Sequence, residues 1–352
     1  MHMRFGYCLI VSSQLLILAM YSAFCRQERL AKLVKQEHER AEPISCSLDD
    51  FLDGTWTYSD GYRQPPGYEW CAIDQRQDCR ANNRSYLDWA WTPRRPGCRP
   101  RPLERRAFLE WFRNKSIAFV GDSMARNQQQ SLQCVLMTEP ETGLTWSEGY
   151  KLAYDSYYPE FDVRVQQLLS GWRDFIRPEN VHELSGFDYV IISVGSAWRR
   201  ADSGLPNVDD LHADHAREMI RNAVNARWKA LQGLPAGVQV IWKTPDLPHW
   251  AGKISDQPWS LPCSRQPAHR DMLQMWIREA LLHERRRDPG SPNLHVMDVL
   301  KLIEQRADAH PNEHSLKFGA HFDCLHWCLP GVPDTINEII FNFIQTHAGA
   351  GR

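Results

Sequence analysis

Four short apolar runs divide the last two thirds of the chain, at residues 116–120, 188–195, 238–242 and 294–297. They are continuous rather than alternating, the pattern of strands buried on both faces of a parallel sheet. Helical periodicity fills the intervals. It predicts helices over residues 124–137, 209–231 and 269–287, the second with Met219, Ile220, Ala223, Val224 and Leu231 inward. A last helix begins near Asp334, where Thr335 and Glu338 have capping-box spacing and Ile336, Ile339, Ile340, Phe343 and Ile344 form a stripe. Strands alternating with helices predict an α/β fold, a mainly parallel sheet between two helical layers. Ligands on such sheets bind at the carboxyl ends of strands. Ser123 stands there, at the turn from the first run into the first helix, where backbone N–H groups and the positive helix end favour an anion.

The N-terminal third reads differently. Residues 5–24 are an uncharged, mostly apolar run of bilayer-spanning length, taken as a transmembrane signal anchor after a cytoplasmic tail at 1–4. A cleaved signal peptide ending near Ala23-Phe24-Cys25 is the alternative. Residues 25–44 form a charged stem, and 45–106 a loop-rich lobe with four cysteines and many Trp, Tyr, Gly and Pro. Residues 107–347 form the catalytic domain. Counting positive charge favours the opposite topology, since Arg4 alone precedes the span whereas Arg26, Arg29, Lys32 and Lys35 follow it. The cysteines decide for a lumenal domain. Of ten, Cys8 and Cys25 lie in or beside the span, leaving Cys46, Cys71, Cys79, Cys98, Cys134, Cys263, Cys324 and Cys328, an even set suited to four disulfides in an oxidising compartment. Their connectivity stays open. A zinc site fits poorly, because Cys71 and Cys79 are too widely spaced and Cys324-x-x-x-Cys328 has no second pair. Asn83 and Asn114 head glycosylation sequons, the second close to a buried strand.

The formal charge of −2 excludes a generally basic nucleic-acid binder. One segment is strongly basic, with Arg94, Arg95, Arg99, Arg101, Arg105 and Arg106. It reads as a solvated face or as an attractor of acidic glycans.

The chemistry resides in Ser123 and in Asp323-Cys324-Leu325-His326-Trp327-Cys328. A serine needs an imidazole to take its proton, and the imidazole needs a carboxylate to fix its tautomer. Spacing i to i+3 in a tight turn puts Asp323 and His326 on one side, and two disulfides at Cys324 and Cys328 would hold that turn rigid. Against this, Ser123 alone would more often cap a helix. Asp122 reads as a turn-positioning residue. Arg126 and Asn127 either anchor the turn or touch substrate. His249 and His310 read as packing residues before substrate contacts, and Trp327 and Trp198 are candidates to stack on sugar rings.

Gly121-Asp122-Ser123 with Arg126-Asn127, and the stretch from Asp323 to Gly331, resemble the plant trichome birefringence-like family. So do Asp53-Gly54 with Trp56, the stretch from Asn82 to Cys98, Thr244-Pro245 through His249 to Cys263, and Arg306 to Pro311. The resemblance implies an SGNH-hydrolase-like three-layer fold with a smaller disulfide-rich lobe. It implies O-acetylation of cell-wall polysaccharides (xylan, xyloglucan, mannan or pectin) in the Golgi, through a single-pass type II protein, with a secreted form as the alternative. It implies an acetyl-serine at Ser123, with His326 as base, Asp323 as its partner, and the N–H groups of Ser123 and Gly195 receiving the oxyanion. No bound cofactor is expected; an acetyl donor, acetyl-CoA or another carrier, is. Polysaccharide acceptor, membrane and Golgi glycan-synthesis proteins are the expected partners, and nucleic acid is not. Where the family usually reads Asn-Thr-Gly-His-Trp-Trp, this chain has Ser193-Val194-Gly195-Ser196-Ala197-Trp198. Ser193 thus replaces an Asn suited to oxyanion binding. Ile336 stands for a Trp and Ala309 for a Gly. An acetylesterase using the same residues, or a non-catalytic glycan-binding scaffold, are the competing functions.

Overall fold

The computed structural model describes residues 46–59, 65, 67–71, 73, 77–80, 85–138, 155–168, 178–195, 212–249, 263–264, 272–289, 291, 293–311 and 323–348. The span at 5–24, the stem, Asn83, Ser196 and Trp198 lie outside them. The apolar runs become β3 (Ser116–Gly121), β6 (Tyr189–Ser193), β7 (Gln239–Lys243) and β8 (Leu294–Met297). With β4 (Ser156–Tyr158) and β5 (Val163–Leu168) they make a six-stranded sheet of order β4-β5-β3-β6-β7-β8. All pairings are parallel except β4 with β5. From β3 the chain goes to one side to form β5 and then to the other to form β6. That reversal opens a crevice at the carboxyl end of β3.

Side chains alternate between two apolar layers. On one face Ile117, Phe119, Tyr189, Ile191 and Ile241 pack with α3 (Ser123–Leu136), the short α6 (Leu300–Ile303) and α7 (Val332–Ala348). On the other, Ala118, Val120, Val190, Ile192, Val240 and Trp242 pack with α4 (Ala213–Gln232) and α5 (Met272–Arg287). The three-layer α/β expectation is thus met. All five residues of the predicted α7 stripe are buried, and each such side chain contributes roughly 1.5–3 kcal/mol relative to exposure. In α4, Ile220, Val224 and Leu231 are buried as expected, whereas Met219 and Ala223 are only half-buried and Ala216 and Trp228 complete the face.

The start of α7 differs from the capping box at Thr335 and Glu338. The helix begins at Val332, and Asp334 in its first turn accepts the N–H of Gly331 at 2.6 Å. Pro333 permits this early start, since the N–H it lacks would have no intrahelical partner.

The N-terminal lobe contributes α1 (Leu48–Leu52), a hairpin of β1 (Gly54–Tyr58) with β2 (Trp89–Pro93), and α2 (Arg105–Trp111). Phe51, Trp56, Tyr68 and Trp91 belong to the same buried cluster as α3 and α7. Four disulfides pair all eight candidate cysteines: Cys46–Cys98, Cys71–Cys134, Cys79–Cys328 and Cys263–Cys324. Cys71–Cys134 ties the lobe to α3, and Cys79–Cys328 ties it to the segment carrying His326. Cross-links closing loops as long as these remove unfolded-chain entropy.

Gly121 ends β3 with φ +151°, and a Cβ there would lie 1.9 Å from the Ser193 carbonyl oxygen. Only glycine lets the two strand ends approach this closely. Gly121→Ala is expected to lower stability by on the order of 3 kcal/mol, read as a reduced urea midpoint at unchanged slope. A wild-type midpoint would contradict the close approach.

Candidate active site

The turn after β3 delivers Ser123 as the first residue of α3. Asp122 is the N-cap and accepts the Met124 N–H on Oδ1 at 3.0 Å. Ser123 is therefore released from capping, half-buried, at the helix end where N–H groups lack intrahelical partners. His326 Nε2 lies 2.7 Å from Ser123 Oγ, and His326 Nδ1 lies 2.7 Å from Asp323 Oδ2. Asp323 Oδ1 accepts the backbone N–H groups of Leu325 and His326 at 3.2 and 3.0 Å. The three residues chosen from the sequence converge, although 203 positions separate Ser123 from His326.

Charge reinforces the geometry. Burial pushes the Asp323 carboxyl up, but the imidazole beside it and three hydrogen bonds hold it well below the carboxylate range. Burial pushes His326 down; the Asp323 charge and hydrogen bond outweigh this and hold it above the ordinary imidazole value, while Arg126 opposes and Asp122 assists. The ring is thus basic and its protonated form is stabilised. An imidazole between a hydroxyl and a carboxylate can take the hydroxyl proton as the oxygen attacks an acyl carbon.

Several companions turn out to have other roles. Gly195, expected to bind an oxyanion, donates its N–H to Asp122 Oδ2 at 3.1 Å. That carboxylate bridges the ends of β3 and β6, and the Gly195 N–H is engaged there. Ser193 is buried at the end of β6, and its carbonyl accepts the Asp122 N–H at 3.3 Å. Asn127 is fully buried, so it is no substrate contact. Its Oδ1 accepts the Trp327 N–H at 3.1 Å, while Nδ2 donates to the Trp327 carbonyl at 3.2 Å and to Gln77 Oε1 at 3.0 Å. This two-point clamp fixes the peptide next to His326 on α3. Leaving those buried backbone groups unpaired costs roughly 1–3 kcal/mol each. Trp327 is 1% exposed and cannot stack on a sugar. Its indole packs flat on His310 at 4.1 Å and donates to Asp246 Oδ1 at 3.2 Å, and Asp246 also pairs with buried Lys243. Arg126 remains at the site, half-buried, with Nε unpaired among the described residues.

Half of the arginines in the basic segment are ion-paired. Arg95, Arg94 and Arg106 pair with Asp50, Asp53 and Glu110. Asn114 is exposed in the turn before β3, with φ +58°. The sequence does not foretell the Asn127 clamp, the Asp122–Gly195 bridge or the Lys243–Asp246 pair. A Gly-Asp-Ser-x-x-Arg-Asn string marks the turn, but only the fold shows that Asn127 faces Trp327.

The chain matches the PC-Esterase family, described as a GDSL/SGNH-like acyl-esterase family found in Pmr5 and Cas1p, over residues 101–176 and 172–343. Similar proteins include xyloglucan O-acetyltransferase 2 of Populus trichocarpa, 27% identical over 88% of this chain and 84% of that one. Protein trichome birefringence-like 12 of Arabidopsis thaliana is 25% identical over 87% of each. Xylan O-acetyltransferase 6 of Oryza sativa subsp. japonica is 25% identical over 85% of this chain and 62% of that one.

Proposed function

The chain belongs to the PC-Esterase family, and from that premise we propose that it is a polysaccharide O-acetyltransferase working through an acetyl-serine at Ser123. The observation that carries this is the hydrogen-bonded chain Ser123–His326–Asp323 at 2.7 and 2.7 Å. In the first half-reaction His326 Nε2 takes the Ser123 proton while Oγ bonds to the acetyl carbon of the donor. The bond to the donor's leaving group breaks, and that group leaves with the proton from His326. In the second, a glycan hydroxyl gives its proton to His326 and bonds to the acetyl carbon. The bond to Ser123 Oγ breaks, and the proton returns to the serine. Asp323 keeps Nδ1 protonated throughout. The Ser123 N–H and the start of α3 face the developing oxyanion, and Arg126 adds a nearby positive charge.

Xyloglucan and xylan are the first acceptors to test, by the names of the relatives. The same reading proposes a lumenal Golgi domain anchored by residues 5–24, with Asn114 as a glycan site; four disulfides favour such an oxidising compartment. The test incubates the full-length protein with acetyl-CoA or another activated acetyl ester and deacetylated xyloglucan, xylan, mannan and pectin oligosaccharides, read by mass spectrometry. Acetylated product is expected on one acceptor class. Release of free acetate from acetylated glycans without transfer would instead establish an esterase, and neither activity, with glycan binding retained, a scaffold.

A further inference from the structure

Behind the catalytic segment lie two fully buried imidazoles that the reaction does not use. His249 Nδ1 and His310 Nε2 are 2.8 Å apart, His310 Nδ1 is 2.7 Å from the His326 carbonyl oxygen, and His249 Nε2 is 3.2 Å from the Glu304 carbonyl oxygen. The His249 backbone N–H also donates to the Cys324 carbonyl at 2.9 Å. Proton counting assigns the tautomers. A carbonyl oxygen only accepts, so both outer contacts ask for an N–H and the middle one needs a single proton. Three protons would be required, whereas two neutral rings hold two. Burial works against a positive charge on either ring and holds both below the ordinary imidazole value, His310 at about 3, where a positive charge on His249 would lower it further. The count is accordingly made for two neutral rings. Leaving the 2.7 Å contact without a proton would set lone pair against lone pair at the shortest distance, so the longest contact, to Glu304, is the one that goes without.

We propose that His310 is a positioning residue for His326, donating from Nδ1–H to the His326 carbonyl while His249 donates from Nδ1–H to His310 Nε2. This rests on the reading of His326 as the base. The His326 peptide is then held at its carbonyl by His310, and its neighbour by Asn127. The flat contact of Trp327 on His310 fixes the His310 ring plane. The imidazole of His326 must meet Ser123 and Asp323 at once, and a small tilt of its peptide would lengthen one of those bonds.

The test compares full-length wild type with His310→Phe, which keeps a flat ring on Trp327 but removes the donor, and His310→Asn, whose amide restores a donor near the Nδ1 position. Expected is a kcat about tenfold lower in the Phe variant with KM unchanged, most of it recovered in the Asn variant. In parallel, nitrogen NMR of histidine-labelled wild type, without substrate, should show His310 protonated at Nδ1 and bare at Nε2. The opposite tautomer, or wild-type kcat in His310→Phe, overturns the proposal. The NMR result is independent of acetyl transfer, so failure of the transfer reading would show as the absence of acetylated glycan from the wild type and leave the tautomer measurement standing.

Discussion

Ser123→Ala is expected to lower the rate of acetyl transfer by a factor on the order of 10⁵ or more without changing the fold. The rate falls because Ser123 Oγ is the oxygen that sits 2.7 Å from His326 Nε2, and among the described residues no other side-chain oxygen bonds that nitrogen to take its place as acyl carrier. The fold persists because the capping work at the start of α3 belongs to Asp122, whose Oδ1 takes the Met124 N–H. Ala is a good helix former at that position, so the thermal midpoint should move by no more than about 0.5 kcal/mol in free-energy terms. Steady-state rates and a thermal melt on the same preparation check both halves. A large loss of stability would make Ser123 a structural residue instead.

Asp323→Asn is expected to lower kcat by about 10⁴ with KM little changed. Asn can present its amide N–H to His326 Nδ1, which forces the tautomer with the proton on Nε2, facing Ser123 and unable to accept. The pH profile adds a second reading. In the wild type Asp323 holds the His326 pKa above the ordinary imidazole value, so activity is lost as pH falls through that raised value. Without the carboxylate the His326 pKa drops, and the acid limb of the residual activity moves to lower pH. An unmoved limb would show that the titrating group is not His326.

The sequence carries the fold clearly where chemistry is repetitive. Buried strands β3, β6, β7 and β8 are mostly apolar runs, and their ends fall within two residues of their predicted places. The edge of the sheet is less legible. Val163-Arg164-Val165 carries the two-residue alternation of β5, but β4 is only three residues long and too short to signal itself. Ser123, His326 and Asp323 are legible as a candidate set because their two strings together hold the residue types a proton relay needs; what the fold adds is their contact. Their surroundings are not legible, because Asn127, Gly195 and Trp327 look like substrate-binding residues until burial and partners are known. Asn127 and Trp327 are 0% and 1% exposed, and Gly195 spends its N–H on Asp122. Disulfide pairing was equally hidden, since Cys79 and Cys328 are 249 residues apart and only the docking of the lobe on the catalytic segment brings them together.

The central claim is that the acetyl group passes through Ser123. Full-length protein mixed with an activated acetyl ester in the absence of glycan, quenched in acid, digested and examined by mass spectrometry tests it most directly. The prediction is one acetyl group on the peptide containing Ser123, formed at least as fast as turnover and discharged when a suitable glycan is added. An acetyl group on a different residue, or glycan acetylation that proceeds with Ser123 never acetylated, would contradict the account.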